Sequence, residues 1–324
     1  MVRLSLFPAL ALIILLNSPT DLGAQGADGI FEDNRPARMA FDDAFAAHKQ
    51  GKLDEAIKGY QKALDLDAGF YAAHNNLGFI YNKQGKHELA LEQFKKAVEL
   101  APKIAEHQAN LGSAQLKLDR PDEAIAALDE AIKLEPKNHG YHYNLALAHE
   151  KKGDLTAAVK AFRETVKLKP EMADAHFQLG YALQRQGDRD GAIASYRSSA
   201  KLDDQQMHTQ LNLGALLLAK REFEEAQKPC ASAVSLAPDN AVALTNLGYA
   251  FAGQKKNKEA IEQYRKAIKA DDKYALAYKN LGVALANTGE KDEAISTWER
   301  ALELDPKDDQ IRENLQKLRS NSRK

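Results

Sequence analysis

Seven primary amides stand at a constant interval in this sequence: Asn76, Asn110, Asn144, Gln178, Asn212, Asn246 and Asn280, each 34 residues after the last. A primary amide carries two donors and an acceptor, so a column of them could bond both edges of an extended peptide backbone without reading its side chains. The same groups could equally bond a neighbouring helix, and spacing alone leaves both roles open. A second column, seven residues further along, holds Lys49, Lys83, Lys117, Lys151 and Arg185, then Ala219, Gly253 and Asn287. Its first five members form a cationic row and its last three carry no charge. Rings flank the amides at Phe41, Phe45, Phe79, Tyr143, Phe177, Tyr181 and Tyr249. Exposed rings on a binding face act as anchors, whereas rings wedged between helices only fill space.

Catalytic chemistry finds less support. Nine histidines invite a metal reading, above all His139, His142 and His149 with His176 further on. Yet His74, His142 and His176 share the column of Tyr278, and His149 shares that of Leu285, both helix-packing positions. No zinc-motif spacing of histidines and carboxylates occurs. Neither a phosphate-cradling glycine loop nor a nucleophile elbow is present. Cys230 is the sole cysteine and falls in a column of large rings, as a buried filler would. The reading is of a chain without catalytic residues, metal or cofactor.

The elements that position these columns are clearest from Ala275 to Asp308. Tyr278, Leu281, Gly282 and Leu285 recur at helical spacing, and Thr288-Gly289 breaks the run. Ala294, Ile295, Trp298, Ala301 and Leu302 form a second helical stripe, which Pro306 stops. Steps of 34 residues back from Ala294 meet Ala260, Ala226, Ala192, Ala158, Ala124, Ala90 and Ala56. From Gly282 they meet Gly248, Gly214, Gly180, Ala146, Gly112, Gly78 and Ala44, all small. From Trp298 they meet Tyr264, Cys230, Tyr196, Phe162, Leu128, Phe94 and Tyr60, mostly large rings.

A helix–turn–helix unit of this length, with small residues where helices touch, resembles the tetratricopeptide repeat. The resemblance covers residues 37–308 as eight units: 37–70, 71–104, 105–138, 139–172, 173–206, 207–240, 241–274 and 275–308. It implies an all-α, right-handed α-solenoid whose first helices line a concave groove and whose ligands are peptide segments or helices of other proteins. The amide column is also similar to that in the repeat arm of the O-linked N-acetylglucosamine transferases, although nothing here remains to build a transferase domain. A role as a separate non-catalytic arm, or as a self-assembling scaffold, is therefore carried beside the main expectation of an adaptor.

Composition and the two ends complete the reading. The formal net charge of −1 gives no bulk field toward nucleic acid or anionic lipid. Arg3 precedes the uncharged run Leu4 to Leu16, which is shorter than the ~20 residues that span a bilayer. With Leu22-Gly23-Ala24 behind it, the run reads as a signal peptide over residues 1–24 and predicts export to the periplasm or cell envelope. Contact with the membrane would then be transient, the alternative being an uncleaved anchor. Residues 25–36 read as a flexible lead-in, and residues 309–324 as a capping helix, with Ile311, Leu315 and Leu318 on one face, followed by a basic tail. In the sixth unit Arg221 stands where glycine often closes the turn and Pro229 falls inside the second helix, predicting a kink. Leu211, Ala215, Leu218, Val242, Leu276, Val283 and Ala286 predict an apolar groove floor in the last three units.

Overall fold

A computed structural model describes residues 34–321, so the signal-peptide reading, most of the lead-in and the end of the basic tail lie outside the described residues. Among those residues there are seventeen helices and no strand. The odd-numbered ones begin with α1 (Arg35–Lys49), α3 (Tyr71–Lys83), α5 (Ala105–Lys117) and α7 (His139–Lys152). They continue with α9 (Ala173–Gln186), α11 (Met207–Ala219), α13 (Ala241–Gly253) and α15 (Ala275–Thr288). Their even-numbered partners are α2 (Leu53–Leu66), α4 (His87–Leu100), α6 (Pro121–Leu134), α8 (Leu155–Leu168), α10 (Arg189–Leu202), α12 (Phe223–Leu236), α14 (Asn257–Ala270) and α16 (Lys291–Leu304). The even helices start at residues 53, 87, 121, 155, 189, 223, 257 and 291, each 34 after the last. A last helix, α17 (Asp309–Asn321), follows. The helices divide into two compact units, one holding α1–α8 and ending at Glu171, the other holding α9–α17 and beginning at Met172. Within each, consecutive helices pack in pairs, as expected of a tetratricopeptide α-solenoid.

Each pair closes on one contact. The small residue of the odd helix lies under the bulky residue of the even helix. A Cβ added at Gly78 would stand 2.7 Å from the Phe94 ring, at Gly180 2.8 Å from Tyr196, and at Gly248 2.6 Å from Tyr264. At Gly214 it would stand 2.6 Å from the Cys230 sulfur, which shows that the smaller thiol draws the helices no less close. Tyr60, Phe94, Leu128, Phe162, Tyr196 and Tyr264 are fully buried, as are the alanines from Ala56 to Ala294 four residues before this column. Burying one such ring contributes about 1.5–3 kcal/mol, and an intervening methyl would force the two axes apart at a cost of about 1–3 kcal/mol.

The turn inside each pair has a fixed conformation. One residue adopts positive φ in every turn: Gly51, Gly85, Asp119, Gly153, Gly187, Arg221, Lys255 and Gly289. Glycine meets this demand without steric cost, whereas an L side chain pays about 1–2 kcal/mol. The sixth turn, where Arg221 replaces glycine, is thus no looser than the rest; Arg221 adopts the same left-handed geometry at φ 64°.

α12 runs unbroken through Pro229. Ala226 and Ala233 are fully buried to either side of it, as in the other even helices, although Pro229 can donate no backbone hydrogen bond. α17 lies where a further first helix would lie. Its Ile311 and Leu315 are buried with Trp298 and Ala301, and Leu315 and Asn314 stand 34 residues after Leu281 and Asn280. At the small-residue column it carries Gln316, which is exposed, since no second helix follows it among the described residues.

The strained turns give a direct expectation. Arg221→Gly and Lys255→Gly should each raise the unfolding free energy by about 0.5–1 kcal/mol, the left-handed cost relieved less the extra chain entropy of glycine. Urea denaturation followed by helical circular dichroism would show later midpoints. Gly187→Arg should shift the midpoint the other way.

Candidate functional site

The amide column lies between successive repeats. Asn76, Asn110, Asn144, Gln178 and Asn212 are at most 2% exposed, Asn246 is 7% exposed, and Asn280 is half-buried. Their bonds depend on the bulky residue of the preceding even helix. At two of the three tyrosines the next amide donates to that hydroxyl, Asn76 Nδ2 to Tyr60 at 3.2 Å and Asn212 Nδ2 to Tyr196 at 3.4 Å, whereas the Tyr264 hydroxyl before Asn280 takes no such bond. Where the bulky residue is Phe94 or Leu128, the amide reaches the preceding odd helix instead. Asn110 Nδ2 donates to Asn75 Oδ1 at 3.1 Å and Asn144 Nδ2 to Ser113 Oγ at 3.1 Å. These partners were not singled out from the sequence, although the tyrosines stand a constant sixteen residues before their amides. Some capacity is left over among the described residues, at Asn110 Oδ1, Gln178 Nε2 and the Tyr264 hydroxyl.

The rings separate into two sets. Phe41, Tyr143 and Phe177 are buried, Tyr143 meeting Phe162 edge-on at 5.7 Å and Phe177 lying 5.6 Å from Tyr196. They are packing residues. Phe45, Phe79, Tyr181 and Tyr249, four residues on in their columns, are only partly buried. Phe79 leans on His48 at 5.8 Å and Tyr249 on Phe223 at 5.6 Å, each keeping one side free of those partners.

The cations are the accessible part of the face. Lys49, Lys83, Lys117, Lys151 and Arg185 are all exposed. Lys49 sits over the Phe45 ring at 4.6 Å and Arg185 over Tyr181 at 5.8 Å. Lys151 bends back to the preceding turn, 3.1 Å from the Asp119 carboxylate and 3.2 Å from the Leu116 carbonyl. Among the described residues, no acid lies within ion-pair distance of Lys49, Lys83 or Lys117. Exposed apolar surface lies elsewhere, at Leu66, Leu100 and Leu134, which end α2, α4 and α6 and are 40–45% exposed.

The expected apolar floor is narrower than the sequence suggests. Leu211, Ala215 and Leu218 are buried, because consecutive odd helices lie side by side and cover them. Val242, Leu276 and Ala286 are half-buried, and Val283 is 38% exposed. Cys230 is 1% exposed and burial pushes its thiol up to about 12, so it is inert as a nucleophile. His142 Nε2 bonds the Pro136 carbonyl at 2.8 Å, a structural contact. Among the described residues no three His, Cys, Asp or Glu side chains are grouped to hold a metal, and no helix is long and apolar enough to cross a membrane.

Two tests follow from the buried polar groups. Replacing Asn76, Asn110, Asn144 and Asn212 with alanine removes four inter-repeat bonds, each worth about 0.5–1.5 kcal/mol, while alanine returns roughly 0.5 kcal/mol of helix propensity per site. The quadruple variant should melt earlier, by calorimetry. His107 is fully exposed to no solvent, with neither ring nitrogen in a well-formed hydrogen bond, and burial lowers its pKa to about 4. The folded state therefore needs the neutral ring, so stability is complete above the unfolded value near 6.5 and is lost as pH falls from there toward 4. That loss should approach about 1.4 kcal/mol per pH unit, measured by urea titration, and His107→Ala should flatten the slope.

Family models described as tetratricopeptide repeat match residues 110–173, 152–207, 177–241, 211–275 and 245–309, and a further one matches residues 69–137. A model described as TPR repeat matches residues 46–85. No curated protein matches the chain. Among solved structures, YrrB, a TPR protein with an unusual peptide-binding site, is 22% identical over 58% of this chain and 96% of its own, with a TM-score of 0.54. A tetratricopeptide repeat protein from Parabacteroides merdae ATCC 43184 is 15% identical over 78% of this chain and 99% of its own, with a TM-score of 0.53. The MamA protein is 29% identical over 53% of this chain and 93% of its own, with a TM-score of 0.49. The repeat models cover well over half of the sequence, and the helix pairs, the glycine–ring contacts and the left-handed turns are what that repeat requires: the chain belongs to the tetratricopeptide repeat family.

Proposed function

We propose that the chain is an exported, non-catalytic adaptor that holds segments of partner proteins along the faces of the odd-numbered helices within each compact unit. The observation that carries this reading is the accessible row on that face of the first unit. Lys49, Lys83 and Lys117 stand exposed without acids to neutralise them, beside the partly exposed rings of Phe45 and Phe79. Accessible rings act as anchors in protein contacts, and exposed cations beside them suit an acidic partner. In the second unit the corresponding face offers Tyr181, Tyr249, Val283 and Asn280 with few cations. The buried amides stay within the fold, and of the column only Asn280, half-buried in the second unit, is open to a bound segment. The peptide-binding site of the YrrB protein is consistent with such a use of the repeat. Export rests on Arg3 and the Leu4–Leu16 run.

A photo-crosslinking residue placed at Phe79 or Tyr249 should capture discrete partners from an envelope extract. The same residue at Lys62 or Lys266, exposed on even helices, should not. Equal capture from both sets, or none from the first, would overturn the assignment of the face. For export, the protein purified from a secreting host should begin near Gln25 by N-terminal sequencing; a chain still starting at Met1 and free in the cytoplasm would contradict it.

A further inference from the structure

One member of the cationic row of the first unit already holds a carboxylate of the chain itself. Lys151 of α7 reaches back to the turn before it and takes the carboxylate of Asp119 at 3.1 Å. Asp119 occupies the left-handed turn position, where the equivalent residues of the two preceding turns are Gly51 and Gly85. Lys83 and Lys117 stand at the same place in α3 and α5 as Lys151 does in α7, so the partner each would find in that turn is a glycine without a side chain. One station is filled from within, and the equivalent stations before it are left open. Lys49 adds a third cation at the end of α1.

The stations are close-set and parallel. The odd helices of this unit touch directly, through Asn110 to Asn75 between α5 and α3 and through Lys151 to the Leu116 carbonyl between α7 and α5. Helices in such contact lie about 8–10 Å apart, which an extended chain covers in about three residues. Lys83 also lies near the preceding helix, where burial first and then its charge lower the pKa of His48 of α1 to about 4.

Resting on the adaptor reading above, we infer that the first unit binds an extended acidic segment whose carboxylates recur about every third residue, one for each of Lys49, Lys83 and Lys117. For Lys83 and Lys117 the carboxylates lie over the glycine turns at Gly51 and Gly85, in the position that Asp119 fills for Lys151. An anionic polymer without this spacing satisfies the charge but not the register.

The experiment uses the full chain and fluorescence anisotropy. The probe is a labelled peptide of about twelve residues with glutamate at every third position among Gly, Ser and Ala, long enough to cross four helices at ~3.3 Å per residue. Comparison probes are the same composition with its glutamates contiguous, a glutamine version, and an oligothymidylate. The spaced peptide should bind tightest and weaken as salt rises. Lys49→Gln, Lys83→Gln and Lys117→Gln together should weaken it about tenfold, as three partly screened ion pairs would. All three side chains are exposed, and an unchanged helical signal would show that the variant still folds. Asp119→Gly empties the fourth station and should tighten binding about threefold, an effect that mere loss of a surface acid far from the probe would not give.

Equal binding of the contiguous isomer, tighter binding of the oligothymidylate, or indifference to the triple substitution would each overturn the inference. So would an Asp119→Gly variant that binds no tighter. If no peptide binds while the crosslinker at Phe79 still captures a partner, the acidic segment is wrong and the adaptor face stands. If both fail, both readings fall.

Discussion

Everything in this molecule depends on how near two helices can come at one point. In each repeat a glycine or alanine of the odd helix lies under a bulky residue of the even helix, and at Gly78, Gly180, Gly214 and Gly248 an added Cβ would fall within 2.6–2.8 Å of it. Such contacts gain dispersion and hydrophobic burial together and tolerate no extra atom. Since one pair cannot bury its remaining apolar face, stacking of copies completes the core. The left-handed turn residue serves the same closure by bringing the even helix back at a fixed angle, and it is held even where glycine is replaced by Asp119, Arg221 or Lys255.

A constant repeat turns single residues into columns, and each column is then disposed of by what its neighbours leave open. The amides are largely consumed within the fold, because a tyrosine hydroxyl or a small polar residue of the preceding repeat stands within reach of their donors. The buried rings are consumed in the same way by the even helices. The lysines at the ends of α3 and α5 are not consumed, since the turns before them carry glycine where α7 finds Asp119, and among the described residues Lys49 at the end of α1 has no acid within ion-pair distance either. Function is assigned here by what remains after the fold has taken its share.

The period, the paired helices and the family were legible in the sequence because the contact that makes each repeat demands a small residue and a large one at fixed positions. The burial of Asn76, Asn144 and Leu218 was not legible, since helical spacing gives the face on which a residue lies but not how closely the next helix covers it. The same limit made Phe177 and Tyr181 look alike, four residues apart on one face, although only the second retains an accessible side. Pro229 suggested a local kink, and α12 continues as one helix from Phe223 to Leu236 through it. Asp119 passed unnoticed for a different reason: its importance lies in a side chain that reaches it from the following repeat.

The central claim is that a partner segment crosses the ends of α1, α3 and α5. Amide hydrogen exchange of the full chain, with and without the glutamate-spaced peptide, measures this most directly. The account predicts slowed exchange in the last turns of those three helices and in the turns at Gly51 and Gly85, with α2, α4 and α6 unchanged. Slowing confined to the even helices, or to the apolar edge at Leu66, Leu100 and Leu134, would contradict it.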